Sequence, residues 1–296
     1  GETQENVQEE KGDTSTTIVQ NSALIAAVLK KKYDVVEFLE RSSPERDVEI
    51  NSTTALFASI ESMESDDDDK MIKLLLSFGE DPAFESSDGR TALSVAALIG
   101  NFSIMKLLMK HSKHLNINSQ NRDGLTVLSI LALAGKNEAI KTICSAPFNA
   151  DPNFVDRNGR TALTIAVIYA DEARAGPFPC VWRNGNKDFR VDPNETFTAL
   201  LSAGAKINLE TPLPHCYSAI HEAAKHCKNK KTIEILIDLG ADPNAVDGFG
   251  FTPLMRAVEF GNLLSCEALC KNPKTEKDKV LPQNSKRKTI RRLSCN

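Results

Sequence analysis

The sequence predicts an all-α solenoid, a line of helix–turn–helix units joined by hairpin-like turns, and three observations carry that prediction. A short apolar helix, a longer apolar helix, a glycine stop and a turn return after 34 residues, from Ser218 to Thr252. At such a period each unit buries its apolar face only against its neighbours. The units open on Ser or Thr, at Ser22, Thr54, Thr91, Thr126, Thr161, Ser218 and Thr252, with intervals of 32, 37, 35, 35, 57 and 34. Second helices run into Gly79, Gly204 and Gly240, with Asn149 in the same slot of the fourth unit.

Residues 1–20 carry no periodic apolar face and are expected to be a disordered, acidic segment. From 21 to 272 the repeats follow. A Ser or Thr hydroxyl at the start of a helix accepts a bond from an N–H that has no partner within the helix. Pro253 follows Thr252 at the first helical position, where its missing N–H costs nothing. Behind the caps come small and apolar residues, such as Ala92, Leu93, Val95, Ala96 and Ala97, which let two helices approach closely. The second helices carry broader stripes, as in Met71-Ile72-Lys73-Leu74-Leu75-Leu76. They end where a left-handed residue is needed, which Gly and, next, Asn tolerate. The first unit has Ser42-Ser43-Pro44 in place of the usual turn, and the third has His114-Leu115-Asn116-Ile117-Asn118. The 57-residue interval holds about 24 residues more than one unit, so a loop over 171–192, with the single tryptophan Trp182, leaves the stack between two helices. Asp192-Pro193-Asn194-Glu195 reads as a fresh cap for the delayed second helix.

Thr91-Ala92-Leu93, Thr161-Ala162-Leu163, Ser218-Ala219-Ile220-His221-Glu222-Ala223-Ala224, Thr252-Pro253-Leu254 and the helix-ending Gly240-Ala241-Asp242-Pro243-Asn244 and Asn149-Ala150-Asp151-Pro152-Asn153 resemble the ankyrin-repeat family. The resemblance implies protein partners, bound in a concave groove of hairpin tips and first-helix faces. The tip positions are Gln120, Arg122, Phe154, Arg157, Leu209, Glu210, Val246 and Phe249. Trp182 and Arg183 on the insertion make a second contact. For Phe154 and Phe249, packing on adjacent hairpins is the alternative. The resemblance also implies a structural role for His221 beside its cap, and Asn244, two residues after Asp242, is similar to sites hydroxylated by the ankyrin asparaginyl hydroxylase.

No phosphate loop, zinc-protease pair or nucleophile elbow is present in the sequence, so neither an enzyme nor a cofactor is expected. His215-Cys216 and His226-Cys227 are spaced unlike any usual paired metal ligands, and no metal site is expected. Cys266 and Cys270 are expected to lie in the core of the last helix. Asp66 to Asp69 form a solvated turn or meet a basic partner.

From Lys271 onward nine Lys and Arg face Glu276 and Asp278, a charge of +7 that leaves −11 on residues 1–270. The acidic body disfavours nucleic acid. The tail, 273–296, is expected to be disordered, and Arg291-Arg292-Leu293-Ser294 resembles a site for a basophilic kinase acting on Ser294. A nuclear-import patch or a linker are the alternatives. No apolar run is long enough for a membrane span and no export signal opens the chain, which reads as cytosolic or nuclear. The function expected is a non-catalytic interaction scaffold or adaptor. The alternative, prompted by Gly1 in place of Met, is the regulatory module of a larger enzyme, channel or transcription regulator.

Overall fold

The computed structural model describes residues 21–42, 53–63, 69–87, 89–112, 115–170, 192–209 and 217–275. Most of the insertion with Trp182 and Arg183, Glu210, Asp66 to Asp68, and the basic tail with Ser294 lie outside these residues, as does the N-terminal segment. The chain forms two compact units that divide between Asp123 and Gly124. Within each unit the helix pairs stack in chain order.

The first unit holds α1 (residues 21–29), α2 (Tyr33–Ser42), α3 (Ala55–Glu61), α4 (Lys70–Phe78), α5 (Ala92–Ile99) and α6 (Phe102–His111). Leu24, Val28 and Val36 of the first pair bury against Ala55, Ala58, Met71 and Leu75 of the second, and α3 packs on α5. The second unit holds α7 (Val127–Leu133), α8 (Asn137–Cys144), α9 (Ala162–Ile168), α10 (Pro193–Ser202), α11 (Ala219–His226), α12 (Lys230–Asp238), α13 (Pro253–Glu259) and α14 (Leu263–Lys271). Here α7, α9, α11 and α13 form one layer, and α8, α10, α12 and α14 the other. Helices of seven to ten residues are too short to persist alone, so this neighbour packing is what holds them.

Five of the seven expected caps act as such. Thr54, Thr91, Thr126, Thr161 and Thr252 accept from the N–H three residues on. At Thr91 and Thr161 the bond is returned, because the Ser94 and Thr164 hydroxyls accept the cap's own N–H at 2.9 and 2.7 Å. Two expectations are corrected. Ser22 is exposed inside α1, which is already helical at Asn21, so it does not stand at the position just before the helix. Ser218 occupies the cap position but turns its hydroxyl to the His221 ring instead.

The stops behave as read. Gly79, Gly204 and Gly240 have φ of 96°, 99° and 101°, and Asn149 has 51°. After the glycines the Glu80, Ala205 and Ala241 amides reach back five residues to Leu75, Leu200 and Leu236 carbonyls. In the fourth repeat Ala150 reaches back seven, to Ile143, because Ser145 to Phe148 add residues before the left-handed Asn149.

The turns share one device, a side-chain oxygen that accepts the N–H two residues on. Asp81, Asp151 and Asp242 supply it at 2.8 Å each. Asn116 supplies it at 2.9 Å in the irregular third turn, and Asn272 at 2.9 Å after α14. The backbone then crosses over, Asp156 to Arg160 at 2.8 Å and Asp247 to Phe251 at 3.0 Å, which makes the turns hairpin-like. In the second unit asparagine amides tie successive turns together. Asn153 donates to the Gly204 carbonyl (3.0 Å), Asn208 to Gly240 (3.1 Å) and Asn244 to Lys274 (2.7 Å).

Residues 171–191 of the insertion lie outside the described residues, between α9 and α10 in the chain. Asp192 belongs to α10, where its carboxylate accepts the Asn194 N–H at 2.9 Å and Pro193 takes the first position.

Candidate functional site

The first helix of each repeat presents a residue four positions after its cap. That position is apolar and buried at Ala58 and Val95 in the first unit, and at Ile130 and Ile165 in the second. In the last two repeats it becomes Glu222 and Arg256, which are also buried. Burying charge in an apolar column is costly unless each group is paired. The chain supplies the partners. Arg256 donates from Nε to Asp247 at 2.6 Å and from Nη1 to Glu259 at 2.5 Å. The Asp247 carboxylate also accepts the Phe249 and Phe251 amides at 2.9 and 3.0 Å, so one side chain closes the hairpin and neutralises the arginine. Asp156 repeats the device with Arg160, at 2.8 Å from Nε.

Aromatic rings cover this network. The Arg256 guanidinium lies 4.3 Å from the Phe251 ring centroid, 5.1 Å from Tyr217 and 5.4 Å from Phe249. The Lys225 ammonium lies 5.5 Å from Tyr217 and 5.0 Å from Phe260. Phe249, Tyr217, Lys225 and Phe260 therefore form one continuous strip across the last two repeats. Phe249 is 48% exposed and Phe260 49%, and Val246 on the same hairpin is 43% exposed.

His221 sits beneath the strip, 2% exposed. Its Nε2 is 3.1 Å from the Phe251 carbonyl, which can only accept, so Nε2 carries the proton. Nδ1 then accepts from the Ser218 hydroxyl at 2.8 Å. The neutral ring thus ties α11 to the following hairpin, the structural role expected of it. Burial pushes its pKa below 6.5, against the pull of Asp247 and of the Phe251 and Ala245 carbonyls, with Arg256 adding to the depression. Glu222 is pushed the other way, up from 4.5 by burial, opposed by Lys225, Arg160 and Arg256.

A pH prediction follows from the histidine. A base whose folded pKa lies below its unfolded value stabilises fully above pH 6.5 and loses that contribution as pH falls through the window beneath. The raised Glu222 contributes with the opposite sign. The informative quantity is therefore the difference between the protein and its His221→Leu variant in urea unfolding. From pH 7.5 to 5 that difference shrinks on acidification, by no more than about 1.4 kcal/mol per pH unit. Parallel curves would refute a neutral buried His221.

The other positions expected from the sequence are distributed. Arg122 is exposed, with its backbone N–H 2.9 Å from the Glu85 carboxylate, and Gln120 is half-buried, both in the first unit. In the second unit Arg157 is exposed, whereas Phe154 and Leu209 are half-buried. Of the expected tips, the strip gathers Phe249, with Val246 on the same hairpin. It also takes in Tyr217, Lys225, Arg256 and Phe260, which the sequence pattern did not single out. The signal was available in the register, where the apolar column four after the cap turns to Glu and Arg.

Among the described residues no group of three or more His, Cys, Asp or Glu is placed to hold a metal. His226 lies 3.4 Å from Glu222, and the Cys227 thiol points at the Val167 carbonyl at 3.6 Å. His215 and Cys216 lie outside the described residues. The expectation that Cys266 and Cys270 are core is corrected. Cys266 is half-buried and Cys270 exposed, because α14 buries the face of Ser265, Ala268 and Leu269. Asp69 begins α4 and pairs with Lys73 at 2.6 Å. No helix among the described residues is long and apolar enough to cross a membrane.

Stacked helix pairs, left-handed stops and tethered hairpins define a repeat protein that presents side chains on one edge. The family profile described as ankyrin repeats, in three copies, matches residues 62–154 and 190–280, and the chain belongs to the ankyrin-repeat family. Ankyrin repeats are in general a protein-interaction module. Among solved structures, the ankyrin repeat domain of Bcl-3, described as a unique member of the IkappaB protein family, is 22% identical with a TM-score of 0.53. The match covers 80% of this chain and 96% of that one. The human ASB11 ankyrin repeat domain is 16% identical with a TM-score of 0.50, over 84% of this chain and 97% of that one. At these identities the likeness carries the fold alone. No curated protein sequence matches the chain.

Proposed function

We propose that this protein is a non-catalytic scaffold or adaptor of the cytosol or nucleus, and that it holds a protein partner on the hairpin and first-helix edge of its second unit. The supporting observation is the strip from Phe249 to Phe260, where half-exposed rings are held in place by Arg256 and Lys225. Aromatic residues fixed in this way lose little freedom on binding and are common anchors of interfaces. Arg157, exposed on an earlier hairpin of the same unit, extends the same reading, and Trp182 and Arg183 on the insertion offer a second contact. Within it, Ser294 is the acceptor for a basophilic kinase and Asn244 a position for hydroxylation, its amide already bonded to the Lys274 carbonyl.

Affinity capture from cell extract with quantitative mass spectrometry tests the proposal. The intact chain is compared with a Val246→Ser/Phe249→Ala double variant of equal helicity. Proteins retained by the first and lost by the second are the expected result, and identical capture would sink this surface as the partner site. A second comparison removes residues 171–191 and keeps Asp192, which α10 needs as its cap. The thermal midpoint is expected to move by no more than a few degrees while partner retention falls. Undiminished retention would remove the insertion from the interface.

A further inference from the structure

Resting on the scaffold reading above, we propose that the strip of Phe249, Tyr217, Lys225 and Phe260 binds an extended acidic and apolar peptide segment, whose carboxylate pairs with Lys225 while its apolar side chain packs on Phe260.

The cations of the second unit differ in availability. Arg256 is committed to Asp247 and Glu259, with 7% of its side chain exposed. Arg160 is committed to Asp156 at 2.8 Å. Lys225 has rings on two sides, at 5.5 and 5.0 Å, and among the described residues no carboxylate lies within ion-pair distance of its ammonium. The two rings fix where the charge sits and thin the water around it. An incoming carboxylate therefore meets a positioned cation in a setting where the attraction is less screened than in bulk water. Beside it Phe260 is 49% exposed, and Leu263, three residues further on, is 68% exposed. Single scattered apolar side chains are ordinary on a surface, but a ring in contact with an ammonium that has no carboxylate at ion-pair distance offers both halves of one recognition element.

The same geometry disfavours a nucleic acid. Glu259 holds its carboxylate on Arg256 with 43% of the side chain exposed, and the buried Glu222 interacts electrostatically with Lys225. A chain of phosphates along the strip would meet these carboxylates at successive positions, whereas one carboxylate of a peptide needs only the one cation. The linked ring and cation contacts from Phe249 to Phe260 span no more than about six extended residues, so the acidic and the apolar side chain fall within a few positions of each other.

The test pans a displayed library of random heptapeptides on the immobilised full chain, followed by affinity measurement with labelled peptides. Peptides with Asp or Glu two to four residues from Leu, Phe or Trp are the expected winners. Their affinity falls about tenfold with Lys225→Gln and again with Phe260→Ala, each variant first shown to melt like the parent. Panning on Lys225→Glu replaces the acidic position by Lys or Arg. Winners indifferent to Lys225→Gln and Phe260→Ala would overturn the proposal, as would a library that yields none. In either case the capture comparison with Val246→Ser/Phe249→Ala still judges the scaffold reading independently. A labelled single-stranded RNA of mixed sequence that binds the full chain and is released by Lys225→Gln would also overturn it, in favour of a nucleic-acid surface.

Discussion

Replacing Asp247 by alanine is expected to destabilise the second unit by about 3–5 kcal/mol, measured as a lowered urea midpoint by circular dichroism of the full chain. The carboxylate is fully buried, and it serves three donors at once, Arg256 Nε and the Phe249 and Phe251 amides. Without it, two hairpin N–H groups lose their acceptor. The Arg256 guanidinium keeps only Glu259, whose side chain is largely at the surface. The loss comes chiefly from stranding those groups away from water, because a buried ion pair contributes little net stability of its own. Asp247→Asn should cost less, since its carbonyl can still take both amides, but its amide then faces the Arg256 donor. The decisive comparison is Asp247→Asn/Arg256→Leu. It restores the apolar residue that the earlier repeats carry at this position, as Val95, Ile130 and Ile165 do. The double variant should be more stable than Asp247→Asn alone. Simple addition of two losses would show that the arginine is held by something other than the aspartate.

Phe197→Ala is expected to cost about 3–5 kcal/mol by the same measurement. Phe197 is 1% exposed on α10, a helix that arrives after the insertion yet packs on α8, α9 and α12 as an ordinary second helix would. Truncation removes the ring's burial and leaves a cavity that the short neighbouring helices can only partly close. A cost below about 0.5 kcal/mol, the range of surface substitutions, would mean that α10 is loosely attached and that the insertion interrupts the stack instead of leaving it.

Much of the architecture was legible because its signals are local. A threonine hydroxyl three residues from an N–H needs no distant partner to act as a cap, and Thr91 and Thr161 could be read from their immediate neighbours. The same holds for Asn149, whose left-handed backbone is a property of one residue and its turn. Ser22 and Ser218 show where the reading stops. Each has the right residue type, but α1 begins earlier than Ser22, and Ser218 bonds to a histidine that is itself held by a carbonyl 30 residues on. Cys270 was misplaced for a related reason. A four-residue spacing puts it near Cys266, yet which face of α14 is buried depends on α11, α12 and α13.

The strip was the least legible feature, although two of its neighbourhood residues, Val246 and Phe249, were picked out as hairpin tips. Its remaining members come from the end of α11, the body of α13 and the residues before and after them. Only stacking brings Tyr217, Arg256 and Lys225 onto shared rings.

The sequence by itself determined that this protein is a repeat of capped helix pairs, and where most of the pairs begin and stop, because caps, stops and turns are bonds between residues a few positions apart. Only the tertiary structure decided that the period is realised as two compact units, that Glu222 and Arg256 enter an apolar column with their partners in place, and that Lys225 stands between two rings. Those outcomes depend on contacts between repeats, about 30 residues apart in the chain, and no local pattern encodes which side chains will meet there.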